Sequence, residues 1–292
     1  MSTGRISGYG FGEVDTVISV DDVNRQARAI AADGPDDATL RGLADNEPML
    51  SIENLVAGYG KMQILHDFNL HVRRGQSLCL IGPNGAGKST VLHSIFGFTR
   101  IFGGKITLRA DGQAGANERD ITALTSNQKL SQAGIAYILQ DNSVFPNMTV
   151  EENLWMGGYL TPDTAAAREA AERVFQKYDR LAERRDKPAR VLSGGERRLL
   201  EISRALVMQP DILLVDEPSI GLEPRFIDMV FEILRELQQV EGKTIVMVEQ
   251  NAKKGLEFAD VGYVLVSGET ALAGTGDELL QNPDVGRLFL GG

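Results

Sequence analysis

The chain has 292 residues, of which 42% are hydrophobic, enough to bury one large core or two modest ones. Its net charge of −10 argues against nucleic acid or an anionic lipid surface as the main partner. No apolar run approaches the roughly 20 residues that span a bilayer, and no signal pattern is visible at the N-terminus, so we expect a cytoplasmic chain that meets membranes only through partners.

Residues 1–47 form an acidic extension that differs in composition from the rest of the chain. They carry nine acidic residues against four arginines, so about half of the net charge lies in this segment. The abundance of Gly, Ala and Asp predicts a poorly ordered tail, in which only VDDVNRQARAIAA has mild helical spacing. A docking arm for a partner is the alternative interpretation.

Residues 48–292 are predicted to form one α/β domain. MLSIENLVAGYG and MQILHDFNLHVRRGQ alternate apolar and polar residues as strands do, and Cys79, the one cysteine, lies in the apolar run SLCLIG as a predicted core residue. Farther along, helical spacing alternates with short apolar runs such as ILLVDE, which is typical of a mostly parallel sheet covered by helices. The segment from 141 to about 190 is charged and helical, with a capping box at Thr149 and Glu152, and indicates an inserted helical subdomain.

The run IGPNGAGKST matches the pattern G-x-x-x-x-G-K-S between an apolar strand and a helix. Its glycines allow successive backbone N–H groups to surround a phosphate chain, and the helix N-terminus adds positive potential. Lys88 is placed to neutralise the β and γ oxygens, and Ser89 to ligate Mg²⁺. The predicted nucleotide-binding residues here are Gly82, Asn84, Gly85, Ala86, Gly87, Lys88, Ser89 and Thr90.

A second motif, ILLVDEP, is an apolar strand that ends in two acids. Such a strand delivers carboxylates to the edge of the sheet where ligands bind in open α/β folds. Asp216 is predicted to hold the Mg²⁺ shell through water, and Glu217 to polarise the water that attacks the γ-phosphate. Adjacent acids at a strand end are often only solvated surface, but the phosphate-binding turn favours the functional reading.

The third motif, LSGGERR, begins another helix with Ser193, Gly194 and Gly195. Here the sequence resembles the ABC ATPases, whose signature motif is LSGGQ, and the resemblance covers residues 49 to about 275 in the same motif order. It implies a P-loop NTPase fold of the ABC ATPase type, with a mostly parallel core, an antiparallel β subdomain and an inserted α-helical subdomain. It also implies that this turn, with Glu196 in place of Gln, grips the γ-phosphate of ATP held by a second subunit.

The same resemblance assigns roles to single residues. Tyr59 corresponds to the aromatic that stacks on adenine, and Gln140 to the residue that reaches Mg²⁺ and links the site to the helical subdomain. Glu223 stands in a position that is usually Asp. Gln250 stands where a histidine normally contacts the γ-phosphate, and its amide donates a hydrogen bond but carries no charge. The three histidines lie elsewhere in the chain order, so none is an obvious substitute.

The segments VFPNMTVEENLWMGGYL and VEQNAKKGLEFADVGYVL resemble more closely the ATPases of branched-chain amino acid importers, in particular the one of the two paired ATPases that has Gln in place of His. Urea and short-amide importers share much of this pattern. The resemblance implies ATP and Mg²⁺ as cofactors, a second ATPase, two permease subunits and an extracytoplasmic solute-binding protein, at the cytoplasmic face of the inner membrane.

Three alternatives remain open from the sequence. A lipid or lipopolysaccharide exporter ATPase also occurs as a single-domain chain, but that group keeps the histidine that is missing here. A regulatory subunit with weak hydrolysis is motivated by Gln250. Soluble ABC proteins of DNA repair or translation are disfavoured, because they need a long heptad insertion or two ATPase units, and neither is present. The sequence names neither the solute nor the composition of the dimer.

Overall fold

The computed structural model describes residues 34–109, 118–140, 143–161 and 164–290. Its centre is a six-stranded sheet in the order β10-β9-β3-β8-β7-β6, parallel except for the edge strand β10. These strands span Ser77–Ile81 (β3), Ile135–Ile138 (β6), Ile212–Asp216 (β7), Thr244–Val248 (β8), Val261–Val266 (β9) and Glu269–Thr275 (β10). The prediction of a mostly parallel sheet is confirmed.

A second, antiparallel sheet has the order β2-β1-β4-β5. Its strands span Leu50–Tyr59 (β1), Met62–Val72 (β2), Arg100–Arg109 (β4) and Glu118–Asp120 (β5). The turn between β1 and β2 is only two residues long, and Tyr59 pairs with Met62 across it. The predicted antiparallel subdomain is therefore present. Tyr59, the last residue of β1, is exposed.

Helices connect and cover the strands. Those of the central sheet span Lys88–Phe96 (α2), Ser126–Ala133 (α3), Gly194–Leu206 (α7), Pro224–Gln239 (α8), Ala252–Phe258 (α9), Gly276–Gln281 (α10) and Pro283–Phe289 (α11). Between β6 and α7 lie Val150–Gly157 (α4), Thr164–Lys177 (α5), Asp179–Ala182 (α6) and a 3₁₀ turn at Ala189–Val191. The capping box predicted at Thr149 and Glu152 begins α4. No helix in the described residues has the length and apolar character that a bilayer crossing demands.

The strands β3, β7, β8 and β9 are buried on both faces, and alternate residues enter two different cores. Cys79, Leu213 and Met247 belong to the core formed with α7, α8 and α9. Leu80 and Val246 belong to the core shared with α2 and the antiparallel sheet. Cys79 is fully buried, as predicted, and burial raises the pKa of its thiol. This packing fixes the carboxyl edge of the parallel strands, where the loops that follow β3, β6, β7 and β8 meet.

A short helix, Asp37–Gly42 (α1), packs on the antiparallel sheet. Leu40 is 1% exposed, and Asp37 bonds to the Nε2 of the buried His71 at 2.7 Å. Arg41 pairs with Asp37 and Glu53. The composition of residues 34–47 predicts a poorly ordered tail, but in the structure Leu40 and Ala44 are buried and Asp37 bonds to a buried imidazole. The segment VDDVNRQARAIAA lies outside the described residues.

Candidate functional site

The run from Ile81 to Thr90 forms the turn between β3 and α2. Gly82 has φ +145°, and a Cβ there would lie 2.2 Å from the Leu265 carbonyl oxygen, so the chain tolerates only glycine. Gly87 caps α2 with φ +103° in the left-handed region. The turn surrounds a cavity of 380 Å³ lined by Ile64, Asn84, Gly85, Gly87, Lys88, Ser89, Thr90 and Glu217. Backbone amides and a helix N-terminus therefore converge on a space that accepts an anion.

Lys88 is the cation of this cavity. Its Nζ donates to the carbonyl oxygens of Gly82 at 2.9 Å and Pro83 at 3.0 Å, and the residue is only 7% exposed. Burial lowers the pKa of Lys88, and the carboxylates of Glu217 and Asp216 oppose this effect. The ammonium is thus held at the cavity by neutral carbonyls, and the arrival of phosphate oxygens would supply the negative charge that favours its protonated form.

Asp216, the last residue of β7, receives two hydroxyl donors. Ser89 Oγ donates to its Oδ1 at 3.1 Å, and the Tyr137 hydroxyl donates to its Oδ2 at 2.7 Å. Burial, with Asp216 adding to it, raises the pKa of the Tyr137 hydroxyl, so this group is a neutral donor. Ser89 and Asp216 thus place two oxygen ligands side by side, which suits a hard divalent cation. Among the described residues there is no cluster of three or more His, Cys, Asp or Glu side chains suited to a metal, so such an ion would need water and phosphate oxygens as well.

Glu217 and Gln140 meet above the cavity. Gln140 follows β6 and donates from Nε2 to Glu217 Oε2 at 2.9 Å. Glu217 has φ +44°, which is uncommon for a residue with a side chain, and its N–H donates to the Val248 carbonyl at 2.9 Å. The structure therefore brings together Lys88, Ser89, Gln140, Asp216 and Glu217.

The Ser193 turn lies apart from this cavity, since none of its residues lines it. Ser193 caps α7: its Oγ accepts from the Glu196 N–H at 3.3 Å, and Glu196 Oε2 accepts from the Ser193 N–H at 2.8 Å. That backbone hydrogen bond holds the pKa of Glu196 below its usual range. Ser193 and Gly194 are exposed, whereas Gly195 is buried, with the Phe226 ring 2.2 Å from the place of a Cβ. The backbone of Ser193 and Gly194 is thus exposed. Glu196 accepts a capping hydrogen bond that the side-chain oxygen of a Gln would also accept at this position.

Tyr59 and Gln250 are both exposed, and neither is among the residues that line the cavity. Tyr59 is 43% exposed, and its hydroxyl shares a hydrogen bond with His93 Nδ1. His93 in turn meets the edge of Tyr137 with the ring centroids 5.7 Å apart. Gln250 is exposed in the loop after β8. The roles of Tyr59 at adenine and of Gln250 at the γ-phosphate stay predictions. His93 was not predicted, because no motif marks it.

Arg198 on α7 was also missed. It is 4% exposed and donates to the Leu139 carbonyl at 2.8 Å, to the Asp216 carbonyl at 3.4 Å and to Glu201 at 2.8 Å. It thereby ties the ends of β6 and β7 to the helix that begins at the Ser193 turn. An arginine on a face otherwise filled by Leu and Ile is the sequence signal that would have found it.

Comparison with known proteins agrees with this geometry. The model of the ABC transporter family matches residues 65–220. The branched-chain amino acid transport ATP-binding protein BraG of Pseudomonas aeruginosa is 41% identical over 84% of this chain and 100% of its own length. The probable branched-chain amino acid transport protein LivF of Archaeoglobus fulgidus is 36% identical, over 83% of this chain and 99% of its own. A nucleotide-free ATP-binding cassette from an ABC transporter, solved by crystallography, superposes with a TM-score of 0.71 at 27% identity, covering 84% of this chain and 100% of that one.

The fold, the phosphate-binding turn and the acids at the end of β7 define a nucleotide-binding ATPase of the P-loop class. Together with the Ser193 turn and the matches above, they establish that the chain belongs to the ABC transporter family, as an ATP-binding subunit whose hydrolysis of ATP is coupled to transport through permease subunits.

Proposed function

We propose that the chain is the ATP-hydrolysing subunit of an importer for branched-chain amino acids or related small polar solutes such as urea and amides. The observation that carries the hydrolytic part is the cavity of the Gly82–Ser89 turn, with the Ser89–Asp216 and Gln140–Glu217 pairs at its mouth. The two amino acid transport relatives, which align almost from end to end, support the solute class. Gln250 supports the type of subunit that LivF represents.

In this proposal the cavity takes the triphosphate of ATP. Backbone amides of residues 84–89 and the Lys88 ammonium bind the β and γ oxygens, while Tyr59 supports the adenine from its exposed position. Ser89, Asp216 and Gln140 would hold Mg²⁺, directly or through water, and the ion would neutralise charge on the same oxygens. The Tyr137 hydroxyl fixes Asp216 so that its other oxygen faces Ser89.

Glu217 is the proposed water-polarising carboxylate. Its hydrogen bond with Gln140 holds the carboxylate at the cavity that it lines, near Lys88. A carboxylate there orients water for in-line attack on the γ-phosphate. Gln250 offers an amide donor to the γ-phosphate instead of an imidazole. Because an amide does not titrate, its contribution is independent of pH near neutrality.

A second ATPase chain completes the site in this proposal. The exposed Ser193–Gly194 backbone begins a helix of 13 residues, which suits it to the γ-phosphate of ATP bound by a companion chain. The companion is a related ATPase or a second copy of this chain. Closure of the pair over two nucleotides, and opening after hydrolysis, would supply the power stroke.

A groove next to Gln140 is the proposed permease contact. It has a volume of 410 Å³ and lies between the end of β6, α4 and α7, lined in part by Tyr137, Leu139, Phe145, Met156, Tyr159 and Arg204. Phe145 and Tyr159 are 43% and 59% exposed. Aromatic and Met side chains at this exposure suit an apolar helical segment of a partner. The contact would place the chain at the cytoplasmic face of the inner membrane.

Two variants test the hydrolytic assignment. Lys88→Ala should abolish ATP binding, with Lys253→Ala, an exposed lysine on α9, as the matched control. Glu217→Gln should bind ATP like the wild type yet hydrolyse it at least about 100-fold more slowly, with the exposed Glu232→Gln as the control. ATP affinity by calorimetry and turnover by phosphate release are the measurements. Retained affinity in Lys88→Ala, or normal turnover in Glu217→Gln, would contradict the assignment.

The solute class needs a separate experiment. Uptake of radiolabelled leucine, isoleucine, valine and urea should be compared in cells lacking the chain and in cells supplied with the wild type or with Lys88→Ala. Restored uptake of one of these solutes by the wild type alone would support import. Unchanged uptake of all four, together with a defect in outer-surface lipid, would favour the exporter alternative. ATP binding with negligible turnover in the full transporter would favour the regulatory one.

A further inference from the structure

Glu249, which follows β8 directly, is a buried acid between two loops. It is 1% exposed. Its Oε1 accepts from Ser219 Oγ at 2.7 Å and from the Asn251 N–H at 2.8 Å, and its Oε2 accepts from the Ser219 N–H at 3.3 Å. All three donors belong to the loops after β7 and β8. The carboxylate therefore joins Ser219 to a loop 30 residues farther along the chain.

Burial of a carboxylate is costly unless donors surround it, so the positions of these donors are strongly determined. The space around Glu249 is also filled. A Cβ on Gly255 of α9 would lie 3.1 Å from Glu249 Cβ and 2.6 Å from Cys79 Sγ. The backbone of α9 at Gly255 therefore packs directly against Glu249. The buried Glu249 carboxylate therefore holds Ser219 in place through two hydrogen bonds.

Ser219 lies two residues after Glu217, in a tight turn. The backbone of Glu217 is in the left-handed region at φ +44°, and its carbonyl accepts from the Ile220 N–H at 3.2 Å. A residue with a side chain adopts this conformation only where its surroundings impose it. The Glu217 N–H is bonded to the Val248 carbonyl on one side of the turn, and Ser219 is bonded to Glu249 on the other.

We propose that Glu249 is a positioning residue that, through Ser219, holds the Glu217 turn and so aims the Glu217 carboxylate into the cavity. The inference rests on the hydrolytic role proposed for Glu217. Glu249 does not line the cavity, and its carboxylate accepts from Ser219 and Asn251, neither of which is assigned to bind phosphate. Because Glu249 and Asn251 flank Gln250, the same hydrogen bonds also fix the loop that presents the Gln250 amide.

The test compares four variants under saturating and limiting ATP. Ser219→Ala removes the hydroxyl donor, and Ser219→Thr keeps it. Glu249→Gln turns an amide N–H₂ toward a backbone N–H, and the double variant Ser219→Ala/Glu249→Gln removes the link from both sides. Glu257→Gln, an exposed acid on α9, is the control. We expect kcat to fall about tenfold in Ser219→Ala and in Glu249→Gln, with ATP affinity within about twofold of the wild type.

Two further results belong to the same proposal. Ser219→Thr should stay within about threefold of wild-type kcat, and the double variant should lose no more than the worse single variant, because both changes break one link. Wild-type kcat in Ser219→Ala, or multiplied losses in the double variant, would overturn it. Should Glu249→Gln fail to fold, Ser219→Ala and Ser219→Thr decide alone. Normal turnover of Glu217→Gln would instead overturn the proposed role of Glu217, a separately measured outcome.

Discussion

Leu40→Ala tests whether residues 34–47 belong to the folded ATPase domain. Leu40 is the one buried residue of α1, 1% exposed against the core that includes Leu50, Leu70 and Val72. Truncation to Ala removes apolar contact and leaves a cavity, which costs about 2–5 kcal/mol for Leu→Ala in protein cores. Because α1 is short and lies at the surface, it can partly collapse onto the cavity, so we expect about 2–3 kcal/mol.

The assay is urea unfolding followed by circular dichroism, with a thermal scan beside it. At 2–4 °C per kcal/mol for a chain of this size, the expected loss corresponds to a Tm about 4–12 °C lower. Thr39→Ala, on the exposed face of the same helix, is the matched control and should change stability by less than about 0.5 kcal/mol. A Leu40→Ala variant no less stable than Thr39→Ala would refute the docking of α1.

Three further predictions follow from single contacts. Gln250→His should keep turnover, measured by phosphate release, within about tenfold of the wild type. It should also make kcat depend on pH between about 6 and 8, because an imidazole titrates there. A kcat that does not change with pH would contradict placement of residue 250 at the γ-phosphate. Gly195→Ala places a methyl against the Phe226 ring and should lower kcat at least about tenfold, with partial recovery in Gly195→Ala/Phe226→Leu; no recovery would exclude this contact as the cause. Burial lowers the pKa of His71 despite its bond to Asp37, so between the two pKa values the unfolded chain binds a proton that the folded chain does not. The free energy of unfolding should therefore rise with pH up to about 6.5 and then level off. His71→Asn should reduce the slope of the urea midpoint against pH, and an unchanged slope would contradict this role of His71.

The parts of the site that sequence predicts are those that local chain geometry determines. The turn from Gly82 to Ser89 needs glycine where the backbone approaches Leu265 and ends in a helix N-cap, and both requirements are visible within ten letters. Asp216 and Glu217 follow from the end of an apolar strand, because a parallel strand delivers its last residues to one edge of the sheet.

What sequence does not predict depends on contacts between distant segments. No local pattern distinguishes Glu249, a buried acid, from a solvated one. Two of its three donors belong to Ser219, which lies in a turn that only the folded sheet brings near. Asp37 and His71 are 34 residues apart, and no local rule pairs them. The acidic composition that predicts a poorly ordered tail is an average over residues 1–47, and it gives no sign that Leu40 and Ala44 are buried.

The outward-facing Ser193 turn also bears on how many copies of the chain a cell would need. If each ATP site is completed by the Ser193 turn of a companion, a single chain contains only part of each of two sites. The specific activity then rises with the concentration of the chain, because pairing is required. If the companion is a related ATPase, overproduction of one of the two alone would yield idle chains rather than faster transport. If the companion is a second copy of this chain, every added chain can find a partner.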